Sequence, residues 1–148
     1  MSIVTNKRAF FDYNVLEKYE AGLVLLGQEV KAIKGGHINL QGSYVVLKNN
    51  ELYLINAHIP PYQPQNTPTD YDPYHSRKLL LHKKEIATLI GKMKQHGLTL
   101  VPLNVYIKGR KIKLEFGLAR GKKKADKRET IKERESKRRI DRAMKGEI

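Results

Sequence analysis

Beyond Leu118 the chain has almost nothing left with which to build a core. From residue 117 onward its large apolar side chains are Leu118, Ile131, Ile140, Met144 and Ile148, too few and too irregularly spaced for a helical face that could close one. The same segment carries thirteen Lys or Arg against six Asp or Glu, half of the chain's net charge of +14. Any core must therefore come from residues 1–116, with 117–148 as a basic tail, disordered or helical. Ordering backbone costs about 1 to 2 kcal/mol per residue. The favourable i,i+4 pairs Glu133 with Lys137, Glu135 with Arg139 and Asp141 with Lys145 return only about 0.2 to 0.5 kcal/mol each. A polyphosphate partner changes that balance by releasing counterions, so the tail is read as RNA-binding and ordered on RNA. The plainer reading is a solvated charge run that aids solubility.

A body of about 116 residues is one domain with a real core plus an appendage. The absence of cysteine removes disulfides, thiolate metal sites and thiol nucleophiles, and fits a reducing cytosol. No apolar run approaches the roughly 18 residues of a membrane span, and Met1 to Asn6 is no signal peptide. A pI near 9.9 attracts nucleic acid, anionic membrane or acidic protein alike. A membrane-surface helix needs an apolar stripe opposite the basic one, which the tail lacks, so nucleic acid is favoured.

Along the body, Asn6 to Tyr13 sets Lys7 and Arg8 beside Phe10, Phe11 and Tyr13; these rings suit core packing first and base stacking second. Asn14 with Glu17 predicts a short helix cap, with the helix running through Tyr19 to Gly22. Leu23 to Leu26 reads as a buried strand. Glu29 to Lys34 reads as one or two helical turns that bury Val30 and Ile33, expose Lys31 and Lys34, and stop at Gly35-Gly36. Ser43–Lys48 and Leu52–Ile59 read as strands joined at Asn49-Asn50, the second with Tyr53, Ile55, Ala57 and Ile59 on one face. Residues 60–74 hold five of the six prolines, a long connection expected to pack on the body.

Arg77 to His82 is a further strand leading into the clearest helix, Lys83 to His96, where Ile86, Leu89, Ile90 and Met93 share a face and Gly97 ends the run. Two alternating strands follow: Val101, Leu103, Val105 and Ile107 point one way, as do Ile112, Leu114, Phe116 and Leu118 after the Lys108-Gly109-Arg110 turn. The second presents Lys111, Lys113 and Glu115 outward. This pattern predicts a mainly β fold, a small antiparallel Greek-key barrel of the oligonucleotide-binding (OB) type with added short helices.

Catalytic chemistry finds no support. The histidines at 37, 58, 75, 82 and 96 lack metal-ligand spacing, the serines sit in no nucleophile elbow, and no cofactor or metal is expected. Glu20 and Glu29 are the only carboxylates singled out as a possible pair, with surface or salt-bridge roles as their default.

Asn6-Lys-Arg, Tyr19-Glu-Ala-Gly22, Glu29-Val-Lys31, Gly42-Ser-Tyr44, Arg77-Lys-Leu-Leu-Leu81, Gly97 to Leu103, Gly117 to Lys123 and Asp126-Lys-Arg128 together resemble the small protein B family of bacterial transfer-messenger RNA (tmRNA)-binding proteins. The likeness runs over nearly the whole chain. It implies an OB-like barrel and a non-catalytic, monomeric, cytoplasmic partner that binds the tRNA-like domain of tmRNA, brings it to stalled ribosomes and stands in for the anticodon arm. Peptide tagging then follows, with the tail in the empty mRNA channel near the decoding centre.

Position by position, the resemblance implies RNA contacts at Asn6, Glu20, Leu80 and Lys113, with Lys7, Lys31 and Lys34 as phosphate contacts and Arg8 among the RNA-binding residues. Core packing is the competing reading for Leu80. Phe11, Gly121, Lys122, Lys123, Lys124, Asp126, Lys127 and Arg128 are assigned to the ribosome, with Lys132, Arg134, Lys137, Arg138 and Arg139 further along the tail. Phe11 stands where many relatives carry His, and Ala125 where they often have His or Tyr. Two other readings are an OB-type ribosomal or assembly protein and an RNA-processing enzyme.

Overall fold

A computed structural model describes residues 2–63, 65, 67–122 and 134. Seven strands form one antiparallel sheet in the order β1-β6-β3-β4-β5-β2-β7. They are β1 (Ser2–Thr5), β2 (Tyr13–Leu23), β3 (Tyr44–Lys48), β4 (Glu51–Ile55), β5 (Arg77–Leu80), β6 (Thr99–Lys108) and β7 (Lys111–Gly121). Because β6 and β7 also pair with each other, six strands close into a barrel and β1 is added outside the ring. One edge of β6 is shared, Leu100 meeting β3 at Val45 and Asn104 to Tyr106 meeting β1. The mainly β, OB-like expectation holds.

The last hairpin follows its alternation. Ile112, Leu114, Phe116 and Leu118 are buried and face the main core, while Lys111 is exposed and Lys113 and Glu115 are half-buried on the outer side. Gly109, at φ 63°, turns the chain. The strand continues to Gly121, five residues past the expected end of the body at 116, because those residues still pair with β2 from Lys18 back to Tyr13. On β6 the single-face reading fails. A bulge between Pro102 and Asn104 lets Leu100 and Val105 face the barrel interior while Val101 and Leu103 pack with Ala9 and Ala119 in a second cluster outside it.

That outer cluster is the seat of α1 (Lys7–Asp12). The helix expected from Asn14 to Tyr19 is instead the first half of β2. A bulge between Val15 and Glu17 breaks the period of two there and leaves Leu16 exposed, which disguises a strand that carries Tyr13, Val15 and Tyr19. The strand read at Leu23–Leu26 ends at Leu23, and Val24 and Leu26 are exposed. In β4 the inward residues are Leu52 and Leu54, opposite to the face expected; Asn56 at φ 64° then reverses the phase so that Ala57 and Ile59 are buried. Asn49 and Asn50 have φ 53° and 61°, as a tight hairpin requires.

Helices α2 (Gly27–Lys34) and α3 (Lys83–His96) contribute Ile33 and Leu89 to the main core. The second begins and ends where the sequence places it, with Gly97 left-handed at φ 59°. In α2, Glu29 is as buried as Ile33. Its Oε2 receives Arg77 Nε at 3.0 Å and Nη2 at 2.5 Å, Tyr71 Oη at 3.1 Å and His75 Nε2 at 3.0 Å, while Oε1 accepts the Leu26 N–H at 3.0 Å. Arg77, also buried, donates to the carbonyls of Ala57 and Pro73. The 60–74 connection is thus fastened to the body, as expected, through Tyr71.

Two outcomes follow for stability. A Cβ on Gly117 would stand 2.8 Å from Val15 Cγ1 and 3.1 Å from Leu103 Cδ1, so Gly117→Ala should cost about 1–3 kcal/mol, read as a lower urea midpoint at unchanged m. Burial pushes the Glu29 carboxyl up, but the Leu26 N–H and the Arg77 guanidinium outweigh it and hold the group below the ordinary value of 4.5. A depressed folded value stabilises above the unfolded one and is lost as pH falls through the folded one. Glu29→Gln should therefore be less stable than the parent by about 3 kcal/mol at pH 7, with the gap closing below about pH 4.5; a gap constant from pH 7 to 3 would refute this.

Candidate nucleic-acid interface

Cross-strand partners share a face, so the register of β5, β2, β7, β6 and β1 lays out a surface. One row runs Leu80, Gly22, Lys113, Tyr106 and Ser2, spanning about 19 Å at the usual strand spacing. The next row is Glu20, Glu115, Asn104 and Thr5. The third is Lys18, Gly117 and Val101, where α1 begins to cover the sheet. The outer face of the barrel is thus open and polar at one end and roofed by α1 at the other.

The open end is internally tied. Tyr106 donates its hydroxyl to Glu20 Oε2 in a short hydrogen bond, and Lys108 Nζ lies 3.5 Å from Glu20 Oε1. Asn104 Oδ1 receives Ser2 Oγ at 3.0 Å and Thr5 Oγ1 at 2.7 Å, and its Nδ2 donates to Glu115 Oε1 at 3.3 Å. The Tyr106 hydrogen bond first, then the charges of Lys108 and Lys113, hold the Glu20 carboxyl below the usual range, and desolvation with Glu20 as neighbour pushes the Tyr106 phenol up. Glu20 is thus an ionised acceptor at neutral pH with one hydroxyl and two ammonium groups around it.

Of the residues singled out in the sequence, Glu20, Leu80 and Lys113 are brought together here. Leu80 is 54% exposed, which excludes the core-packing reading. Lys7 and Arg8 stand exposed on α1, over the roofed end of the same face; Arg8 pairs with Asp12 at 3.0 Å. Asn6 is buried, its Nδ2 on the Pro102 carbonyl at 2.9 Å and its N–H on that of Leu103 at 2.7 Å, so its amide anchors α1 to β6. Lys31 and Lys34 are exposed on α2, Lys31 above the Tyr62 ring at 5.9 Å, and belong to none of these rows. Glu20 and Glu29 are not a pair, since Glu29 is committed to Arg77.

Two guanidinium groups lie over the Phe11 ring, Arg8 at 5.0 Å and Arg134 at 5.8 Å from its centroid. Gly121 ends β7 opposite Tyr13, and the Lys122 N–H bonds the Asp12 carbonyl at 2.8 Å, so the chain leaves the barrel beside α1. Lys123, Lys124, Ala125, Asp126, Lys127, Arg128, Lys132, Lys137, Arg138 and Arg139 lie outside the described residues. Sequence reasoning missed β1, Asn104 and Tyr106; the outward phase of β6 pointed to the last two. Among the described residues no cluster of His, Cys, Asp or Glu suits a metal, and no helix is long and apolar enough to cross a membrane.

A closed antiparallel barrel with helical additions and one polar, partly cationic sheet face left open defines an OB-like nucleic-acid-binding protein. The comparisons narrow the class. The family model described as SmpB protein matches residues 3–146, and the chain belongs to that family. The SsrA-binding protein of Paraburkholderia xenovorans (strain LB400) is 54% identical over 146 residues, 99% of each chain. That of Sulfurihydrogenibium sp. (strain YO3AOP1) is 52% identical over 146 residues, 99% of this chain and 95% of the relative. A chain from the solved structure described as "tmRNA-SmpB: a journey to the center of the bacterial ribosome" superposes with a TM-score of 0.66 at 48% identity, covering 82% of this chain and 85% of that one.

Replacing Tyr106 by Phe removes the first cause of the Glu20 shift. The Glu20 carboxyl in Tyr106→Phe should titrate closer to the ordinary range than in the parent, followed by carbon-detected NMR of the side-chain carboxyl. Identical titrations would show that the hydroxyl does not hold this group.

Proposed function

We propose that this protein binds the tRNA-like domain of tmRNA and delivers it to stalled ribosomes for trans-translation, as a non-catalytic cytoplasmic factor standing in for the anticodon arm. The observation that carries the RNA-binding part is the row Leu80, Gly22, Lys113 and Tyr106 with Glu20 beside it. Lys113 supplies a phosphate contact. Glu20 repels phosphate, and so accepts from a base edge or a 2′-hydroxyl. Leu80 offers an apolar surface to a base or ribose. Lys7 and Arg8 extend the cationic track over α1, and Lys31 and Lys34 serve phosphates from α2. The names of its relatives, each an SsrA-binding protein, support the partner; the likeness to a chain described with tmRNA and the ribosome supports the destination.

The barrel and tail divide the work in this reading. The barrel captures the RNA, and residues beyond Lys122, with Phe11 at the point of departure, act on the ribosome in the decoding centre and mRNA channel. Alanine on the RNA then continues the stalled peptide, which is tagged and released.

Two measurements separate the halves. Lys113→Ala should weaken binding to the tRNA-like domain and lower the slope of log K against log salt by about one, whereas Arg110→Ala, at the hairpin tip, should leave both near the parent values. A chain ending at Lys122 should keep its RNA affinity within a few fold and lose peptide tagging in a reconstituted translation system. Equal loss of both activities would sink the division, and retention of tagging would remove the tail's role.

A further inference from the structure

The platform does not stop at Leu80. That side chain also forms one wall of a groove of about 570 Å³ between the β3–β4 turn, β5 and the start of α3. Its other apolar surfaces are Leu81, Ile86, Ala87 and Ile90. Gly22 lies against Leu80, close enough that a Cβ there would be in ordinary van der Waals contact with the Leu80 side chain at 3.4 Å, so the row and the groove meet at Leu80.

We propose that this groove receives one unstacked nucleobase of the RNA held on the sheet, a reading that deepens the proposed function and rests on it. A base has two apolar faces and a polar edge. The groove has aliphatic walls for the faces, and at its rim the amides of Asn49 and Asn50, which can donate to and accept from such an edge. Lys78 and Lys83 also stand at the rim. Lys78 is paired with Glu51 at 3.0 Å, which leaves Lys83 as the cation for the adjoining phosphate.

A peptide fits less well. Both edges of β5 are already paired, Leu80 with Gly22 and Lys78 with Tyr53, so no strand can be added there. A net charge of +14 also favours a polyanion over most protein segments. The continuous surface from Lys113 through Gly22 to Leu80 leads an RNA strand from the sheet into the groove.

Ala87 tests the idea because it is exposed on α3, where a larger side chain fills the groove without disturbing the core or adding charge. The full-length Ala87→Phe variant, with Ala87→Ser as control, would be titrated against a labelled transcript of the tRNA-like domain, intact or carrying an abasic site at each unpaired position in turn. Ala87→Phe is expected to bind about tenfold more weakly, the scale of one lost stacking contact, with the salt slope of the parent and an unchanged melting temperature. One abasic RNA should weaken the parent equally and cost Ala87→Phe nothing more.

Parent-like affinity of Ala87→Phe, or losses that add at every abasic position, would overturn the groove. If RNA affinity is intact and only ribosome-dependent tagging falls, the groove serves a protein and the inference is likewise overturned. Lys113→Ala separates the two levels of the argument. If it weakens binding and lowers the salt slope while Ala87→Phe does neither, the groove fails and the platform stands; if neither variant affects binding, the platform itself is wrong.

Discussion

The constraint on which the rest of the molecule depends is that β7 is hydrogen-bonded along both edges, to β2 from Tyr13 to Gly22 and to β6 from Thr99 to Lys108. A strand held on both sides cannot rotate, and its period of two then assigns every side chain. Ile112, Leu114, Phe116 and Leu118 must fill the barrel. Lys113, Glu115, Gly117 and Ala119 must lie outside. The outward set is graded along the strand, charged where the sheet stays open and very small where α1 lies against it. One strand therefore specifies the core, the open platform and the seat of the helix that roofs the rest.

Closure elsewhere is thin. β3 meets β6 at a single pair, and β5 meets β4 and β2 at two pairs each. The wall between β4 and β2 accordingly depends on side chains as well as ladders, and this is where the buried Arg77–Glu29 pair sits. Taking two charges out of water is expensive, but here each nitrogen of the guanidinium has an oxygen partner: the Glu29 carboxylate and the carbonyls of Ala57 and Pro73. The pair joins α2, β5 and the proline-rich connection at one point. That fixes the position of β5, and with it the exposed Leu80 that the open face shares with the groove beside it.

What the sequence made legible was what has a clean period. The α3 helix, its glycine stop, the Asn49-Asn50 turn and the inward face of β7 could all be read directly. What it concealed lay at irregularities that shift phase by one residue: the bulges at Val15/Glu17 and Pro102/Asn104 and the positive φ of Asn56. Each turns an alternating pattern over, the two bulges within a strand and Asn56 just past the end of β4, so β2 resembles a helix and Val101 and Leu103 read as sharing a face with Val105. Site residues followed the same rule. Lys113 was visible as the outward phase of β7. The resemblance names Asn6 as an RNA contact, and nothing local says that its amide will also meet the Pro102 carbonyl across 96 residues. The tail's composition announced a separate segment, but the five residues of β7 from Gly117 to Gly121 share its glycines and basic residues while pairing as strand.

A protein this basic does not need its sheet face in order to attract RNA, and that is the most informative thing about the face. Charge of one sign draws any phosphate backbone to it, tRNA and ribosomal RNA included. The open platform instead mixes Lys113 and Lys108 with Glu20 and Glu115, and fixes Glu20 by hydrogen-bonding it to Tyr106. A carboxylate held in place excludes a phosphate from its own position while leaving the lysine two strand residues away free to accept one. In the proposed function, RNA settles in registers that present a donor group to Glu20 and a phosphate to Lys113 together. In that reading long-range attraction comes from the whole molecule, and selection from a small surface where attraction and repulsion alternate at the spacing of neighbouring strands.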